Sequence, residues 1–315
     1  MGIETKKAVY KRHYPKEIPL LAQTRGLLRR FGLQARKSLG QHFLIDEEML
    51  KLITSSAELT PTDVIMEIGP GLGVLTRELA GQSGWVITVE LDSRLATILE
   101  QSLAPFSNVT IINEDILRID PATLLQEQRA KFPPITGSPF SYKVVANLPY
   151  YITSPILRHF LEASLKPQII VVMVQKEVAE AIVAKPGQMS VLSISVQFYG
   201  EPAIISYVPA QCFYPAPEVD SAILKIKLYS QPPVEVTDRE SFFELVRAGF
   251  SAPRKQMGNS LAQGLGLSKA EILSLLGKAS IVSQRRAGTL TLGEWAKLWQ
   301  VFIQVSERAD YSGAS

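Results

Sequence analysis

Through the first two-thirds of the chain, apolar runs of strand length alternate with helical patterns. "DVIMEI" (63–68), "WVITVEL" (85–91), "VTIINED" (109–115), "KVVANL" (143–148) and "QIIVVMV" (168–174) are short, β-branched and apolar on successive positions. Helical spacing fills the gaps. "EEMLKLITSSAEL" opens behind Asp46, a favourable N-cap with acids in the first turn. "GLGVLTRELAG" reads as loop and helix, and "SRLATILEQSL" follows the second strand. Ser154 and Pro155 suit the cap and first turn of "ILRHFLEASL", and "EVAEAIVAK" follows the fifth strand. Strands that are apolar on both faces, alternating with helices, predict a parallel sheet covered on both sides. "SISVQFYG" (193–200) and "SAILKIKLY" (221–229) alternate more regularly and predict an antiparallel edge. "FPPITGSPFS" (132–141) reads as a surface insertion. Beyond the polar, proline-bearing break "SQPPVEVTDRE" (230–240), the pattern is helical: "ESFFELVRAGF", "SKAEILSLLGK", "TLGEWAKLWQVFIQ". The expected architecture is α/β, a mostly parallel sheet with an antiparallel edge strand plus a small C-terminal all-helical domain. The expected divisions are a basic N-terminal arm (1–36), the α/β domain (37–231) and the helical domain (232–315).

Composition narrows the class. Hydrophobic residues make up 46% and charged residues 20% of 315, as in an ordinary globular protein. The longest apolar run, "IIVVMV", is strand-sized, so no membrane partner is expected, and no secretory signal is read at the N-terminus. A single cysteine, Cys212, excludes a disulfide framework and makes a cytoplasmic setting the default; the sequence carries no strong oligomer signature, so a monomer is the default state. Charge changes the picture more. Residues 1–37 hold ten Lys/Arg against two acids, a net +8 that leaves −5 on the remainder. A basic arm on a near-neutral body suggests a polyanionic partner; a solvated tail is the plainer reading.

Candidate chemistry gathers where strands end. "EIGPGLG" (67–73) joins the first strand to a helix, and glycines there permit a tight turn and close backbone approach to a ligand. Glu90 closes the second strand, 19 residues after Gly71, where an acid can accept both hydroxyls of a ribose. Asp115 closes the third, where a carboxylate can accept from an adenine amino group. Glu67, Glu90 and Asp115 therefore fall at the carboxyl ends of three consecutive strands, the edge at which open α/β sheets bind ligands. A nucleoside ligand is implied; a nicotinamide enzyme and a methyltransferase could both use it.

The fourth strand separates these readings. It runs into Asn147-Leu148-Pro149-Tyr150. An aromatic exocyclic amine is a poor nucleophile because its lone pair is delocalised into the ring. Two acceptors aimed at its N–H bonds favour a pyramidal nitrogen. The Asn147 side-chain oxygen and a backbone carbonyl at Leu148 or Pro149 can be those acceptors. Pro149 stiffens the loop and adds no competing N–H, and Tyr150 offers a face on which an extruded base can stack. Catalysis would rest on orientation and electrostatics rather than a strong base.

These motifs resemble the ribosomal RNA adenine N6,N6-dimethyltransferase family, most closely its bacterial small-subunit members. The matching stretches are "KSLGQHFLID" (37–46), "MEIGPGLGVLTREL", "VITVELDSRL", "NEDIL", "VANLPYYITSPIL" and "FYPAPEVDSAIL" (213–224), with "RAGFSAPRKQMGNSL" and "RRAGTLTLGEWAKL" in the helical tail. The resemblance implies a Rossmann-like class I methyltransferase sheet and S-adenosyl-L-methionine as methyl donor. It implies that His42 and Leu44 line the cofactor site. Gly69 would meet the methionine moiety, Glu90 the ribose and Asp115 the adenine, with Glu67, Gly71, Leu91 and Ile116 also counted to the cofactor site. Asn147 would face both the target amine and the sulfonium region, with Pro149 and Tyr150 beside it. Phe213 would stack on the target adenine opposite Tyr150. The implied substrate is 16S rRNA in the immature 30S subunit, dimethylated at two adjacent adenines near its 3′ end during small-subunit biogenesis. A 23S rRNA dimethyltransferase and a non-catalytic nucleic-acid-binding factor on the same fold are the alternatives. His42 stands where relatives often carry Asn, and Met257-Gly258 where a Leu-Arg pair is usual. No metal site is expected at His42, because the other histidines, His13 and His159, fall in a basic tail and a helix.

Overall fold

The computed structural model describes residues 18–35, 40–129 and 141–312. The insertion expected at 132–141 and the first seventeen residues of the basic arm lie outside them, apart from Ser141. The elements are α1 (Leu20–Arg30), β1 (Phe43–Leu44), α2 (Glu47–Ser56), β2 (Val64–Ile68), α3 (Val74–Gln82), β3 (Trp85–Glu90), α4 (Ser93–Ser102), β4 (Val109–Asn113), α5 (Pro121–Gln128), β5 (Tyr142–Asn147) and α6 (Thr153–Glu162). They continue with β6 (Ile169–Gln175), α7 (Lys176–Ile182), α8 (Val191–Tyr199), β7 (Gly200–Val208), β8 (Phe213–Tyr214), β9 (Ser221–Leu228), α9 (Arg239–Gly249), α10 (Met257–Leu265), α11 (Lys269–Lys278) and α12 (Leu292–Ser312).

Seven strands form one sheet in the order β4-β3-β2-β5-β6-β9-β7. The five apolar runs expected as buried strands are β2 to β6, all mutually parallel. β9 and β7 complete the sheet antiparallel. Parallel register aligns the strand ends: Ile68 lies opposite Val89, Glu90 opposite Asn113, and Asn147 opposite Met173. The strand order reverses at β2–β5, which opens a crevice at the carboxyl edge.

One expected strand is a helix. "SISVQFYG" falls in α8, which Ser190 starts by a reciprocal capping box with Ser193. Its β-branched residues imitate a strand, but none of its residues is exposed, so the polar and apolar positions carry little inside–outside signal. Phe198 stacks on Phe242 of α9 at 5.3 Å between ring centroids and meets Phe243 edge-on. The antiparallel edge is formed instead by "GEPAIISYV", whose Pro202 and the register shift between Ile204 and Ser206 suit an outer strand. α6 also starts slightly early, at Thr153, after a 3-10 turn at Tyr150–Ile152, and no side chain caps it.

One face of the sheet shares a buried cluster with α5 to α8 and with the C-terminal helices, including Trp295 and Trp299 of α12. The other face packs on α2 and α3. Within the basic segment, α1 buries Leu20, Thr24 and Leu28; Leu28 meets Phe43, Leu72 and Leu95. No helix among the described residues is long and apolar enough to cross a membrane.

Candidate active site

A cleft opens at the carboxyl edge, between the ends of β2, β3, β4 and β5, and extends over about 1090 Å³ including the open solvent at its mouth. His42, Leu44, Glu67, Gly69, Gly71, Glu90, Leu91, Asp115, Ile116, Asn147, Pro149 and Tyr150 all line it. Of the residues singled out in the sequence, Phe213 alone does not.

The floor is the β2–α3 loop. Gly69 and Gly71 have φ of 65° and 59°, a left-handed backbone that other residues adopt only at a cost. A Cβ on Gly71 would also stand 3.1 Å from the Phe43 ring. The loop therefore curls tightly enough for its amide to reach Glu90: Gly71 N–H donates to Glu90 Oε2 at 3.3 Å, and Asp92 N–H to Oε1 at 2.9 Å. Glu90 is 6% exposed. Burial pushes its carboxyl up to about 7, opposed by those two amides. Glu67 lies deeper, 1% exposed, with the Thr76 hydroxyl of α3 donating to Oε2 at 2.6 Å. Burial pushes it up to about 8, the Thr76 bond opposes the rise, and Glu90 adds to it.

At the β4 end, Asp115 accepts from Leu117 N–H at 3.0 Å through Oδ1 and keeps Oδ2 for another donor. Ile116 is buried beside it, while Leu91 is 54% exposed and forms an apolar wall. A carboxylate between two aliphatic surfaces matches the needs of a flat heterocycle with an amino group. Glu90 retains unfilled lone pairs for hydroxyl donors. This donor set and shape fit S-adenosylmethionine.

The β5 end holds the other half. Asn147 Nδ2 donates to the His42 carbonyl at 2.9 Å, so its side-chain oxygen is turned away from that contact. His42 Nδ1 lies 2.8 Å from the Pro215 carbonyl and must be the donor, since a carbonyl only accepts. The His42 ring stacks on Tyr150 at 5.7 Å and 20°. Tyr150 Oη meets Ser221 Oγ at 2.6 Å, and burial raises the phenol above its ordinary range. The half-buried Tyr150 is thus held at both ends with its ring on the cleft. Tyr151, its neighbour, is 55% exposed.

Phe213 corrects the expected pairing of rings. It is 2% exposed and packs with Leu44, Val208 and Ile223 beneath the β1–β8 ladder, where Leu44 pairs with Phe213 and Phe43 with Tyr214. An aromatic next to a two-residue strand is driven inward by its apolar neighbours, a contact no local pattern announces.

Other cleft residues carried no clear sequence signal. Met173 arrives from β6 through strand order alone, and Gln41 approaches Asp92 at 3.5 Å. Asp92 caps α4 and pairs with Arg94 at 2.9 Å; its place two residues after Glu90 could have suggested it. In the helical tail, Arg254 and Arg286 are exposed, whereas Arg285 is bound to both oxygens of Glu294, which that bond pulls down to about 2. At Gly258, in the place of an expected Arg, a Cβ would stand at an ordinary contact distance of 3.7 Å from Leu273 and Ser283. Arg25 of α1 sits over the Tyr214 ring at 5.0 Å.

Comparison with known proteins agrees with this geometry. The chain is 50% identical over 291 residues to a ribosomal RNA small subunit methyltransferase A of Dehalococcoides mccartyi strain CBDB1, covering 90% of this chain and 96% of that one. It is 43% identical over 282 residues to the protein of the same name from Moorella thermoacetica, covering 88% and 95%. Among solved structures, the 23S rRNA methyltransferase ErmE superposes with a TM-score of 0.64 at 27% identity, over 83% of this chain and all of that one. A dimethyladenosine transferase from Plasmodium falciparum superposes with a TM-score of 0.69 at 23% identity, over 84% and 98%. The ribosomal RNA adenine dimethylase family matches residues 32–300. With strand-end acids, glycine loop and Asn-Leu-Pro-Tyr meeting in one cleft, and relatives matched almost end to end, the chain belongs to the ribosomal RNA adenine dimethylase family.

Proposed function

We propose that this enzyme transfers methyl groups from S-adenosylmethionine to N6 of two adjacent adenines near the 3′ end of 16S rRNA, within the immature 30S subunit. It acts as a cytoplasmic monomer in small-subunit biogenesis. The observation that carries the chemistry is the Asn147–His42 hydrogen bond, which fixes which end of the amide is the acceptor. The small-subunit substrate is supported by the names of relatives that are 43–50% identical across nearly their whole length.

When bound, S-adenosylmethionine supplies an electrophilic methyl on a positively charged sulfur. Glu90 accepts the ribose hydroxyls, and Asp115 accepts from the adenine amino group between Leu91 and Ile116. Glu67, Gly69 and Gly71 border the methionine end, with His42 and Leu44 closing the cleft from the N-terminal segment. Asn147 Oδ1 and a backbone carbonyl of the Leu148–Pro149 turn accept the two N–H bonds of the target amine, which directs its lone pair outward. Tyr150 stacks on the extruded adenine. Phe213 acts from below, holding the β1–β8 ladder that carries His42. The basic N-terminal segment and the exposed Arg254 and Arg286 contact RNA phosphates. The division into arm (1–36), catalytic domain (37–231) and helical domain (232–315) follows this allocation of tasks.

The resemblance to a 23S rRNA methyltransferase structure makes large-subunit RNA the second reading. Methyl transfer from labelled S-adenosylmethionine to undermodified 30S particles, with naked 23S rRNA in parallel and mass mapping of product, separates the two. Two adjacent dimethyladenosines near the 16S 3′ end are expected. Label in 23S rRNA alone changes the substrate, and cofactor binding without label in either points to a non-catalytic factor.

A further inference from the structure

Five carboxylates line the cleft, Glu67, Glu90, Asp92, Glu114 and Asp115, and among the described residues no Lys or Arg lines it. Such a wall favours a ligand of net positive charge. The methyl donor carries one more positive charge than the thioether left after transfer, because its sulfonium becomes neutral. The wall can therefore distinguish the two ligands by charge.

The buried acids of this wall are not equivalent. Both oxygens of Glu90 accept backbone amides, and Asp92 is paired with Arg94. Glu67 is the most deeply buried and has the Thr76 hydroxyl on one oxygen. Among the described residues, the ionisable groups sharing the cleft with it are Glu90 from β3, Asp92 at the start of α4, Glu114 and Asp115 after β4, His42 before β1 and Tyr150 and Tyr151 after β5. The buried cation of β5, Lys143, is bound to Asp63 and the Glu58 carbonyl instead. With the cleft empty of cations, Glu67 keeps its proton near neutral pH, since burial holds its carboxyl at about 8.

We propose that Glu67 determines the preference for methyl donor over demethylated product, by giving up a proton when the sulfonium-bearing ligand binds and regaining one once the sulfur is neutral. The inference rests on the assignment of this cleft as the donor site. Glu67 exchanges its proton with solvent. The transfer itself breaks the methyl–sulfur bond, leaves the electron pair on sulfur, forms the methyl–N6 bond, and releases one proton from the N6 cation to water. Ionised Glu67 strengthens the hold on the donor, and reprotonated Glu67 loosens the product.

Calorimetric titration of the full chain with S-adenosylmethionine and with S-adenosylhomocysteine, in phosphate and in Tris at pH 7.5, counts protons from the dependence of the apparent enthalpy on buffer. The donor should release about half a proton or more beyond the product. The ratio of product Kd to donor Kd should rise by up to about tenfold per pH unit between pH 6 and 8, then level off. Glu67→Gln should cut the excess proton and the pH dependence to the smaller share that Glu90, held at about 7, contributes. Thr76→Val retains the acid but removes the bond that favours its ionised form, so the levelling-off should move to higher pH; this variant carries the test if Glu67→Gln fails to fold. Equal proton counts for the two ligands, or an excess undiminished by Glu67→Gln, overturn the proposal and leave the cleft assignment standing. Failure of the wild-type chain to bind either ligand overturns that assignment, and the proposal with it.

Discussion

Replacing Asn147 by alanine removes two contacts, one observed and one inferred. The observed contact is the 2.9 Å bond from Nδ2 to the His42 carbonyl, a neutral pair worth about 0.5–1.5 kcal/mol. The inferred contact is Oδ1 accepting from the target amine as positive charge develops on its nitrogen. Removing one oriented group aimed at developing charge costs about 2.7–4 kcal/mol, or about 10²–10³ in rate. The cleft is open at its mouth, so water can partly replace the missing acceptor, and the expected loss is near the lower end, about 100-fold. Asn147→Asp sharpens the test. It keeps an acceptor in the same place but turns an oxygen toward the His42 carbonyl, leaving that carbonyl without its donor, a loss of about 1–3 kcal/mol. The aspartate variant should therefore be impaired by about 10-fold or more, although it retains an oxygen. Single-turnover transfer to undermodified 30S particles at saturating cofactor measures the chemical step, and calorimetry on the same proteins measures cofactor affinity. Cofactor Kd should change little beside the rate in the alanine variant. An alanine variant within about threefold of the wild-type rate would refute the acceptor role.

Glu90→Gln should weaken cofactor affinity about 10-fold or more, because an amide offers one acceptor oxygen where the carboxylate offers two; unchanged affinity by calorimetry would remove Glu90 from the ribose site. Deleting residues 1–17 removes five Lys/Arg and leaves α1 and its buried Leu28 in place. RNA affinity should fall, and the slope of log K against log salt should become shallower, by up to about 0.7–0.9 for each phosphate that is no longer neutralised; an identical slope would make the segment a passive tail. Glu67 also links stability to pH. Its carboxyl is raised to about 8 in the folded state, so the native protein holds the proton more tightly than the unfolded chain. The resulting stabilisation is full below the ordinary carboxylate range and is lost as pH rises toward 8. Thermal unfolding should therefore show a decline in Tm across that window that Glu67→Gln flattens, and a parallel decline in both proteins would refute the linkage.

Much of the site could be read in the sequence because it is built from strand ends. A parallel sheet places the residue after each buried strand at one edge, so the locations of Glu67, Glu90, Asp115 and Asn147 follow once the strands are found. The left-handed turns at Gly69 and Gly71 are likewise a local matter of φ. Where local pattern failed, tertiary packing had prevailed. α8 has the β-branched content of a strand, but its Ser190–Ser193 capping box and the surrounding Phe242 and Phe243 favour a helix.

The order of apolar runs, the strand-end acids, the glycine loop and Asn-Leu-Pro-Tyr were thus set by the sequence, because each depends on neighbours a few residues away. Tertiary structure decided which ring faces the cleft and which amide atom points into it. Phe213 is buried by β1, and Tyr150 is held on the cleft by Ser221 and His42, partners 71 and 108 positions distant in the chain. The protonation of Glu67 belongs to the same class. A carboxyl's charge depends on the water and charges around it, and here those are excluded or supplied by β3, α3 and the loop between β2 and α3.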